Sequence, residues 1–357
     1  MRVRVLDVAD AAGQARLKVA FLGSGAFGVP TLESLMREHD VRLIVSQPDR
    51  PAGRGMKLTP TPISAWAAEH AAGVPLHKPE DINTPDALAA VRELAGPGKV
   101  DAWVIIAFGQ KLSVPLLEGV FACNLHASIL PRWRGAAPIN WSILAGDAVV
   151  GNSVITIAQR MDAGLVLATS GRPMNPRQTA GELHDALAAD GPALVRSVLE
   201  RVAGGQRAVG EANGGFGAVQ DESLVTRARK LSRADAAIDV SQAAEMCRRR
   251  INGLSPWPGV DAVLRWPAAG GGEGKEASVA VKLLRAVVAG ERAPAGVAPG
   301  VLFDPAAGLI ACGEGTALQL LDIQAVGSRA MSWAEFANGR RPPKGCVVAS
   351  GSAAGTA

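Results

Sequence analysis

The chain has 357 residues, of which 48% are hydrophobic and 20% are charged. It can therefore bury one or two cores and cannot be intrinsically disordered. It has no run of about 18 uncharged apolar residues, and charges interrupt its N-terminal stretch MRVRVLDVADAAG, which excludes a membrane-spanning helix and a secretory signal peptide. The four cysteines form no CxxC pair, so we expect reduced thiols, a cytoplasmic location and no cysteine-based zinc site.

The net charge of +4 is unevenly distributed along the chain. Residues 1–222 carry 21 Lys and Arg against 22 Asp and Glu, whereas residues 223–357 carry 16 against 11. A basic second part is compatible with an ordinary solvated surface and equally with a surface that binds a polyanion. Charge alone leaves both interpretations open.

From residue 17, short strand-like runs alternate with helical patterns. In chain order these are LKVAFLG (17–23), TLESLMREH (31–39), VRLIVSQ (41–47), ISAWAAEHA (63–71), TPDALAAVRELAG (84–96) and VDAWVIIAF (100–108). Strands that alternate with helices predict βαβ units and a parallel sheet. The runs VDAWVIIAF and VFACNLHA are apolar almost throughout, as expected of central strands that are covered on both faces. Ligands of such sheets bind beyond the carboxyl ends of the strands.

The remainder of the chain predicts a second domain. A long helix is expected over 179–202, and beyond Pro258 short strand-like pieces broken by Gly and Pro predict a small barrel or sandwich. We therefore predict five parts: a disordered leader (1–16), a catalytic α/β domain (17–205), a linker (206–228), a second domain (229–346) and a disordered tail (347–357).

The first predicted strand ends in GSGAFG (23–28), which matches the dinucleotide pattern GxGxxG, and Asp49 stands about where a ribose-binding acid could lie. A long loop, QPDRPAGRGMK (47–57), follows the second strand, where a dinucleotide site needs a compact turn. We therefore favour glycines that serve only a tight turn. Arg50, Arg54 and Lys57 on this loop could hold phosphates or could form a solvated surface.

Polar side chains mark the end of another buried strand, in CNLHASILPRWRGAAPIN (123–140). Alternate residues of a strand share a face, so Asn124 and His126 project together. Such a pair could bind a carbonyl oxygen that becomes negative in a transition state, or it could only satisfy buried backbone groups. Asp162 follows the run NSVITIAQR and is expected beside His126 if sequential strands pair. It could accept a proton from an attacking amine or could only cap a turn.

Six motifs occur in a fixed order: QPDRPAGRG (47–55), AFGQKL (107–112), NLHASILPRWRGAAPIN (124–140), MDAG (161–164), KLS (230–232) and SPWPG (255–259). Together they resemble the folate-dependent formyltransferase family, and most closely its tRNA-directed members. Glycinamide ribonucleotide and sugar formyltransferases share the Asn-x-His and the later Asp. The resemblance implies an α/β fold, with a Rossmann-like, mostly parallel sheet domain followed by a small C-terminal OB-like β-barrel.

The resemblance also implies a reaction, in which the formyl group of 10-formyltetrahydrofolate passes to the α-amine of methionyl initiator tRNA. Asn124 and His126 would polarise the formyl oxygen, and Asp162 would manage the amine proton. The folate would lie against Ser128, Ile129, Leu130, Pro131, Phe108 and Gly109. The tRNA would contact Arg50, Arg54, Lys57, Arg248, Arg249 and Arg250.

We expect no metal and a monomeric enzyme. Three alternatives stay open from the sequence. The first is a folate-dependent formyltransferase that acts on an amino sugar nucleotide, and the second is an inactive RNA-binding protein on the same scaffold. A nicotinamide dehydrogenase is a distant third.

Overall fold

A computed structural model describes residues 16–53, 55–210, 215–267 and 276–351. The strands are β1 (Lys18–Gly23), β2 (Asp40–Val45), β3 (Arg50–Ala52), β4 (Lys57–Thr59), β5 (Leu76–His77), β6 (Ala102–Ile106), β7 (Phe121–His126), β8 (Arg134–Gly135), β9 (Val149–Val150), β10 (Ser153–Thr156), β11 (Val166–Thr169), β12 (Arg172–Pro173), β13 (Arg227–Ala228), β14 (Val260–Pro267), β15 (Glu276–Val288), β16 (Leu302–Asp304), β17 (Leu309–Ala311), β18 (Ala317–Ala325), β19 (Met331–Ser332) and β20 (Val347–Ser350). The α-helices are α1 (Val29–Glu38), α2 (Pro62–His70), α3 (Pro85–Ala95), α4 (Val114–Leu117), α5 (Pro138–Ala145), α6 (Ala180–Ala203), α7 (Ala244–Leu254) and α8 (Trp333–Arg340).

The chain folds into two compact units. The N-terminal unit comprises the residues up to Gly135, Val149–Arg172 and His184–Arg227, and the C-terminal unit comprises Ala136–Ala148, Pro173–Leu183 and the residues from Ala228 onward. Two stretches that we assigned to the catalytic domain, 136–148 and 173–183, therefore group with the C-terminal unit. Most of the predicted linker, 206–228, groups with the N-terminal unit.

The N-terminal unit is built on a seven-stranded sheet with the order β11-β10-β7-β6-β1-β2-β5. The five strands from β7 to β5 pair in parallel, whereas β10 is antiparallel to both β7 and β11. The Rossmann-like, mostly parallel sheet is thus confirmed. Strands β1 and β6 are buried almost throughout, which explains why their sequences are apolar without alternation.

Helices of this unit start at sequence signals that satisfy their first N–H groups. The Thr61 and Thr84 side chains accept hydrogen bonds from Ser64 N and Ala87 N, and a proline occupies the first turn of each helix. In the core, Trp103 is fully buried and its indole N–H donates to Ala95 O at 2.8 Å. A well-packed core therefore supports the central strands.

The loop after β2 is more ordered than we predicted. Strands β3 and β4 pair antiparallel as a small exposed ribbon, with Arg50 opposite Thr59 and Ala52 opposite Lys57. Both strands of a two-stranded ribbon are edge strands. A proline there removes no hydrogen bond between the strands if its nitrogen lies on the side that faces solvent. Gly53 has a φ of +68° in the turn, a conformation that glycine adopts without steric cost. Arg54 lies outside the described residues.

The C-terminal unit contains an antiparallel sheet with the order β16-β17-β18-β15-β14-β20. Its two ends are joined, because Leu302 N donates to Cys346 O and Val348 N donates to Gly300 O, each at 2.7 Å. Helix α7 packs against β15 and β18. The curled sheet confirms the small OB-like barrel and decides against an open sandwich.

The predicted chain ends need one correction. We assigned residues 347–357 to a disordered tail, but Val347–Ser350 form β20, which pairs with β14. Apolar residues pack there: Val348 is fully buried. Of the predicted leader 1–16, only Arg16 is described, and its guanidinium donates to His39 O at 2.8 Å. Residues 1–15 and 352–357 lie outside the described part of the chain.

Candidate active site

Strand β7 presents two polar side chains at its carboxyl end. Asn124 lies opposite Ile105 of β6 and Ile155 of β10, and His126 lies opposite Ser153. Strands on both sides therefore fix the backbone that carries these residues. Asn124 is partly exposed, and its carboxamide has no hydrogen-bond partner in the described part of the chain. Its donor is available for a ligand.

His126 is buried, and each ring nitrogen has a different neighbour. Nε2 lies 2.9 Å from Trp133 O, and a carbonyl can only accept, so the hydrogen-bond network assigns a proton to Nε2. Nδ1 lies 3.7 Å from the Asp162 Oδ1 atom. The imidazole and the carboxylate are therefore close enough for an electrostatic interaction.

Asp162 lies in the connection between β10 and β11 and has a φ of +55°. This is the left-handed region, which is unfavourable for a residue with a Cβ atom. Its Oδ2 atom accepts a hydrogen bond from Gly135 N at 2.8 Å, and its side chain is only 14% exposed. The carboxylate is therefore held beside the imidazole by a backbone donor.

Asp162 lies beside His126, as we expected if sequential strands pair, and β10 does pair with β7. The pairing is antiparallel, and Thr156 at the end of β10 lies opposite Cys123. Asp162 reaches His126 through the loop that follows β10.

This geometry agrees with comparisons to known proteins. A family model described as formyl transferase matches residues 17–199, and a second, described as the C-terminal domain of formyl transferase, matches residues 230–341. The chain belongs to the formyl transferase family. It is similar to proteins named methionyl-tRNA formyltransferase from Thiobacillus denitrificans (38% identity over 91% of this chain and 97% of that protein) and Caulobacter sp. K31 (40% identity over 90% and 97%).

Solved structures share the fold of this formyl transferase at low sequence identity. A Helicobacter canadensis N-formyltransferase in complex with folinic acid and dTDP-3-aminofucose has a TM-score of 0.58 and 14% identity, over 87% of this chain and 99% of that chain. HypX from Aquifex aeolicus in complex with tetrahydrofolic acid has a TM-score of 0.56 and 16% identity, over 90% of this chain and 47% of that chain. At these identities the comparison supports the fold alone.

The segment that we predicted to contact folate forms a tight turn after β7. Ser128 Oγ donates to Arg132 O at 2.6 Å, and Leu130 N donates to Ser153 Oγ at 3.0 Å. Both Ser128 and Leu130 are buried, whereas Ile129 and Pro131 are partly exposed. In this formyl transferase the turn therefore offers mainly the last two side chains to a ligand.

Phe108 differs from our expectation of a ligand contact. Its ring is 3% exposed and belongs to the core of the sheet. Its carbonyl accepts hydrogen bonds from Ser24 Oγ at 3.0 Å and from Gln47 Nε2 at 3.1 Å, and Gly109 follows with a φ of +86°. The Phe108 ring therefore packs in the core and supports the sheet edge.

The arginines of the predicted basic cluster on α7 form contacts within the chain. The Arg248 side chain is 7% exposed, and its Nε and Nη2 atoms each lie 2.7 Å from a Glu245 carboxylate oxygen. Arg249 donates to the same carboxylate at 2.6 Å and to Ala145 O at 3.0 Å. Arg250 donates to Asp235 O at 2.7 Å. These guanidinium groups hold α7 to its surroundings, because Glu245 lies three and four residues before the first two.

The cations of the β3–β4 ribbon are more accessible. Arg50 forms an ion pair of 2.5 Å with Glu80, and both side chains are more than 60% exposed. Lys57 is exposed on β4. Asp49, the residue considered for a ribose, instead forms two 2.9 Å hydrogen bonds with Lys78.

Two other types of site are not supported by the described residues. Cys123 precedes Asn124, but burial raises the pKa of its thiol to about 12, so the thiol stays protonated and is a poor nucleophile. Within the described ranges no group of His, Cys, Asp and Glu is arranged to hold a metal ion.

In the same ranges no helix combines the length and hydrophobicity needed to cross a bilayer.

Sequence reasoning missed three residues around this site. Trp133 supplies the carbonyl that fixes His126, Gly135 supplies the N–H that fixes Asp162, and Gln220 contacts the Asp162 backbone. The first two lie in a motif that we quoted, but backbone groups carry their contacts. Gln220 lies in the stretch that we predicted as a linker, where no local pattern indicates a partner 58 residues away.

Proposed function

We propose that the chain transfers the formyl group of 10-formyltetrahydrofolate to the α-amine of methionyl initiator tRNA and so produces N-formylmethionyl-tRNA. The observation that carries this proposal lies at the carboxyl end of β7. There the Asn124 carboxamide, which has no hydrogen-bond partner among the described residues, lies on the same strand as His126, and His126 Nδ1 lies 3.7 Å from Asp162 Oδ1. Methionyl-tRNA formyltransferases that match this chain over 97% of their own length support the tRNA substrate.

The residues present fit a folate formyl donor. An available carboxamide and a buried imidazole with a carboxylate beside it stand at the end of one strand, and the partly exposed Ile129 and Pro131 follow with apolar surface. The donor supplies an activated formyl carbon that an amine can attack. As the amine attacks, negative charge develops on the formyl oxygen, and donors aimed at that oxygen stabilise it. Asn124 Nδ2–H is one such donor, and the imidazole of His126 lies beside it on the same strand.

The attacking amine must also lose a proton. Asp162 accepts it, because a carboxylate has only acceptor atoms and this one is held in place by Gly135 N. His126 keeps its orientation throughout, since its Nε2–H is bound to Trp133 O. The tetrahedral intermediate then collapses as the bond between the formyl carbon and N10 of the folate breaks, and N10 takes up a proton so that tetrahydrofolate leaves. The three side chains therefore divide the work between stabilising the oxygen and removing the amine proton.

The tRNA contacts follow from exposure. Arg50 and Lys57 on the β3–β4 ribbon are exposed cations, and exposed cations can neutralise backbone phosphates. Initiator tRNA is used in the cytoplasm, so we expect a cytoplasmic enzyme, and we expect it to act as a monomer. Sedimentation velocity of the purified chain tests the monomer.

A formylation assay tests the function. Purified chain and 10-formyltetrahydrofolate are mixed with methionyl initiator tRNA, with methionyl elongator tRNA, or with an amino sugar nucleotide. We expect formylation of the initiator tRNA to be much faster than that of the other two. Faster formylation of the sugar amine would instead favour the sugar nucleotide substrate, the alternative that shares Asn124, His126 and Asp162.

A further inference from the structure

A second segment of the N-terminal unit holds the loop that carries Asp162. Gln220 is 8% exposed, and its Nε2 atom donates to Asp162 O at 2.8 Å and to Gly164 O at 2.7 Å. Both hydrogens of the amide are thus used on this loop. Gln220 lies in the stretch 206–228, to which we assigned only a linking role.

Arg134 fixes which way the Gln220 amide faces. Its Nε atom donates to Gln220 Oε1 at 2.9 Å. A guanidinium can only donate, so the amide oxygen must face Arg134 and the amide nitrogen must face the two carbonyls. The Arg134 side chain is itself only 7% exposed.

Glu222 in turn holds Arg134. Its Oε1 atom accepts from Arg134 Nη2 at 3.0 Å and from Arg160 Nη2 at 2.9 Å. The hydrogen bond from Arg134, followed by that from Arg160, holds the pKa of the Glu222 carboxyl below its ordinary value. Glu222 therefore stays ionised at neutral pH and continues to bind Arg134.

The Asp162 backbone needs such support. Its φ of +55° lies in the left-handed region, which Asp adopts more readily than most residues with a Cβ atom but still at a cost in free energy, and contacts from the surroundings offset that cost. Gly135 N fixes the carboxylate of Asp162, and Gln220 fixes its carbonyl. Without the Gln220 donors, the loop is free to relax and to move the carboxylate away from His126.

We propose that Gln220 is a positioning residue for Asp162: by donating to the carbonyls of Asp162 and Gly164, in an orientation set by Arg134, it keeps the proton-accepting carboxylate beside His126. This inference rests on the formyl transfer proposed above.

Gln220→Glu is the most informative substitution. It keeps the side-chain length and an oxygen that can accept from Arg134, but it replaces the two N–H donors with an oxygen that faces two carbonyls. Gln206→Glu is the matched control, because Gln206 is exposed and also accepts from an arginine, Arg201 Nε, at 2.8 Å. We expect kcat to fall about 10- to 100-fold in Gln220→Glu, with KM for both substrates almost unchanged, and no change in Gln206→Glu.

A double-mutant cycle distinguishes positioning from a general structural effect. If Gln220 acts through Asp162, Gln220→Glu costs little further activity in an Asp162→Asn background. The same loss in both backgrounds would overturn the proposal, and so would a single Gln220→Glu variant that is as active as the wild type.

A measurement without substrate keeps this test independent of the proposed function. The Gly135 amide proton, bound to the Asp162 carboxylate, should resonate downfield in a deuterated NMR sample. We expect an upfield shift in Gln220→Glu and in the uncharged, similarly sized Gln220→Met, but not in Gln206→Glu. An unchanged Gly135 signal in folded variants would refute positioning. Loss of folding in both would also refute it and would assign Gln220 to the stability of the unit. If the variants show these shifts but the wild type formylates no tRNA, only the proposed function is refuted.

Discussion

Asn124 combines partial exposure with an amide that no described neighbour engages. We expect Asn124→Ala to lower kcat about 10²- to 10³-fold, the usual effect of losing one donor to a developing oxyanion. Its stability should change little, since no hydrogen bond in the described chain is lost. Steady-state formylation kinetics measure the effect, with Asn338→Ala on the exposed face of α8 as the control. An Asn124→Ala variant as fast as the wild type would remove Asn124 from the mechanism.

Asp162→Asn distinguishes the role of Asp162 in proton transfer from its role in holding the loop geometry. The amide oxygen can still accept from Gly135 N, so the loop should keep its geometry, but an amide cannot take up the amine proton. We expect kcat to fall about 10²- to 10⁴-fold, with an unchanged melting temperature. Single-turnover measurements isolate this step. Full activity of Asp162→Asn would show that another group, or solvent, accepts the proton.

At this scale the sequence predicted side chains better than their supports. The two-residue period of a strand is enough to place Asn124 and His126 on one face. The groups that orient them are a carbonyl at residue 133 and an N–H at residue 135, and any residue type can supply those. Gln220 acts across 58 residues, and nothing local in its segment indicates that contact.

Among the elements, the β3–β4 ribbon is where we expect the tRNA to be held. Arg50→Ala and Lys57→Ala should each raise KM for tRNA. Each should also reduce the steepness of log affinity against log salt concentration by about the amount that one phosphate contact contributes. KM values at several salt concentrations test this. Arg37→Ala, which removes an exposed cation of α1 paired with Glu33, is the control. Equal salt slopes in all three variants would place the phosphate contacts elsewhere.

Helix α7 should behave in the opposite way. Arg248→Ala removes a buried guanidinium that donates to Pro176 O and to the Glu245 carboxylate and leaves these groups only Asn252 and Arg249 as donors, so we expect a loss of about 1–3 kcal/mol in the free energy of unfolding. The salt slope of tRNA binding should stay the same. Urea unfolding compares this loss with that of Arg329→Ala, which removes an ion pair with Glu335. The Arg329 side chain is 78% exposed. A reduced salt slope with normal stability would instead support the phosphate-binding role that the sequence predicts for this cluster.

The contrast between these two elements has a physical cause. Three consecutive arginines look like a phosphate-binding cluster in sequence, but on a helix they point in different directions. Here Arg248 and Arg249 both reach Glu245 within one turn. In the ribbon, by contrast, all six residues of β3 and β4 are exposed, so Arg50 and Lys57 are accessible.

For the molecule as a whole, one ion pair predicts acid sensitivity. The Arg229 hydrogen bond lowers the pKa of Asp235 from 3.8 to about 2. A depressed carboxyl pKa stabilises the folded state above pH 4, and that stabilisation is lost as the pH falls through 2. Because Arg229 is 57% exposed, we expect only about 1 kcal/mol after solvent screening. Urea unfolding should show a smaller stability difference between wild type and Asp235→Asn at pH 2.5 than at pH 6. A constant difference would contradict this.

The overall architecture was predictable because hydrophobic periods repeat along β1 to β7. The sequence could not show that β10 reverses direction, since an apolar strand has the same pattern in parallel and antiparallel sheets. It also could not show that β20 completes the second sheet. That pairing joins Val301 to Val347 across 46 residues, and the short run VVAS carries no sign of its partner.

The join between the first and last strands of the C-terminal sheet also protects the protein from its own copies. Exposed outer strands carry rows of unpaired amide groups that can template aggregation. In this unit the amide groups of Leu302 and Val348 donate instead to Cys346 O and Gly300 O. A truncation before residue 346 would uncover such a row, so polypeptides released early from the ribosome should be prone to insolubility even though every residue of the candidate active site has already been made.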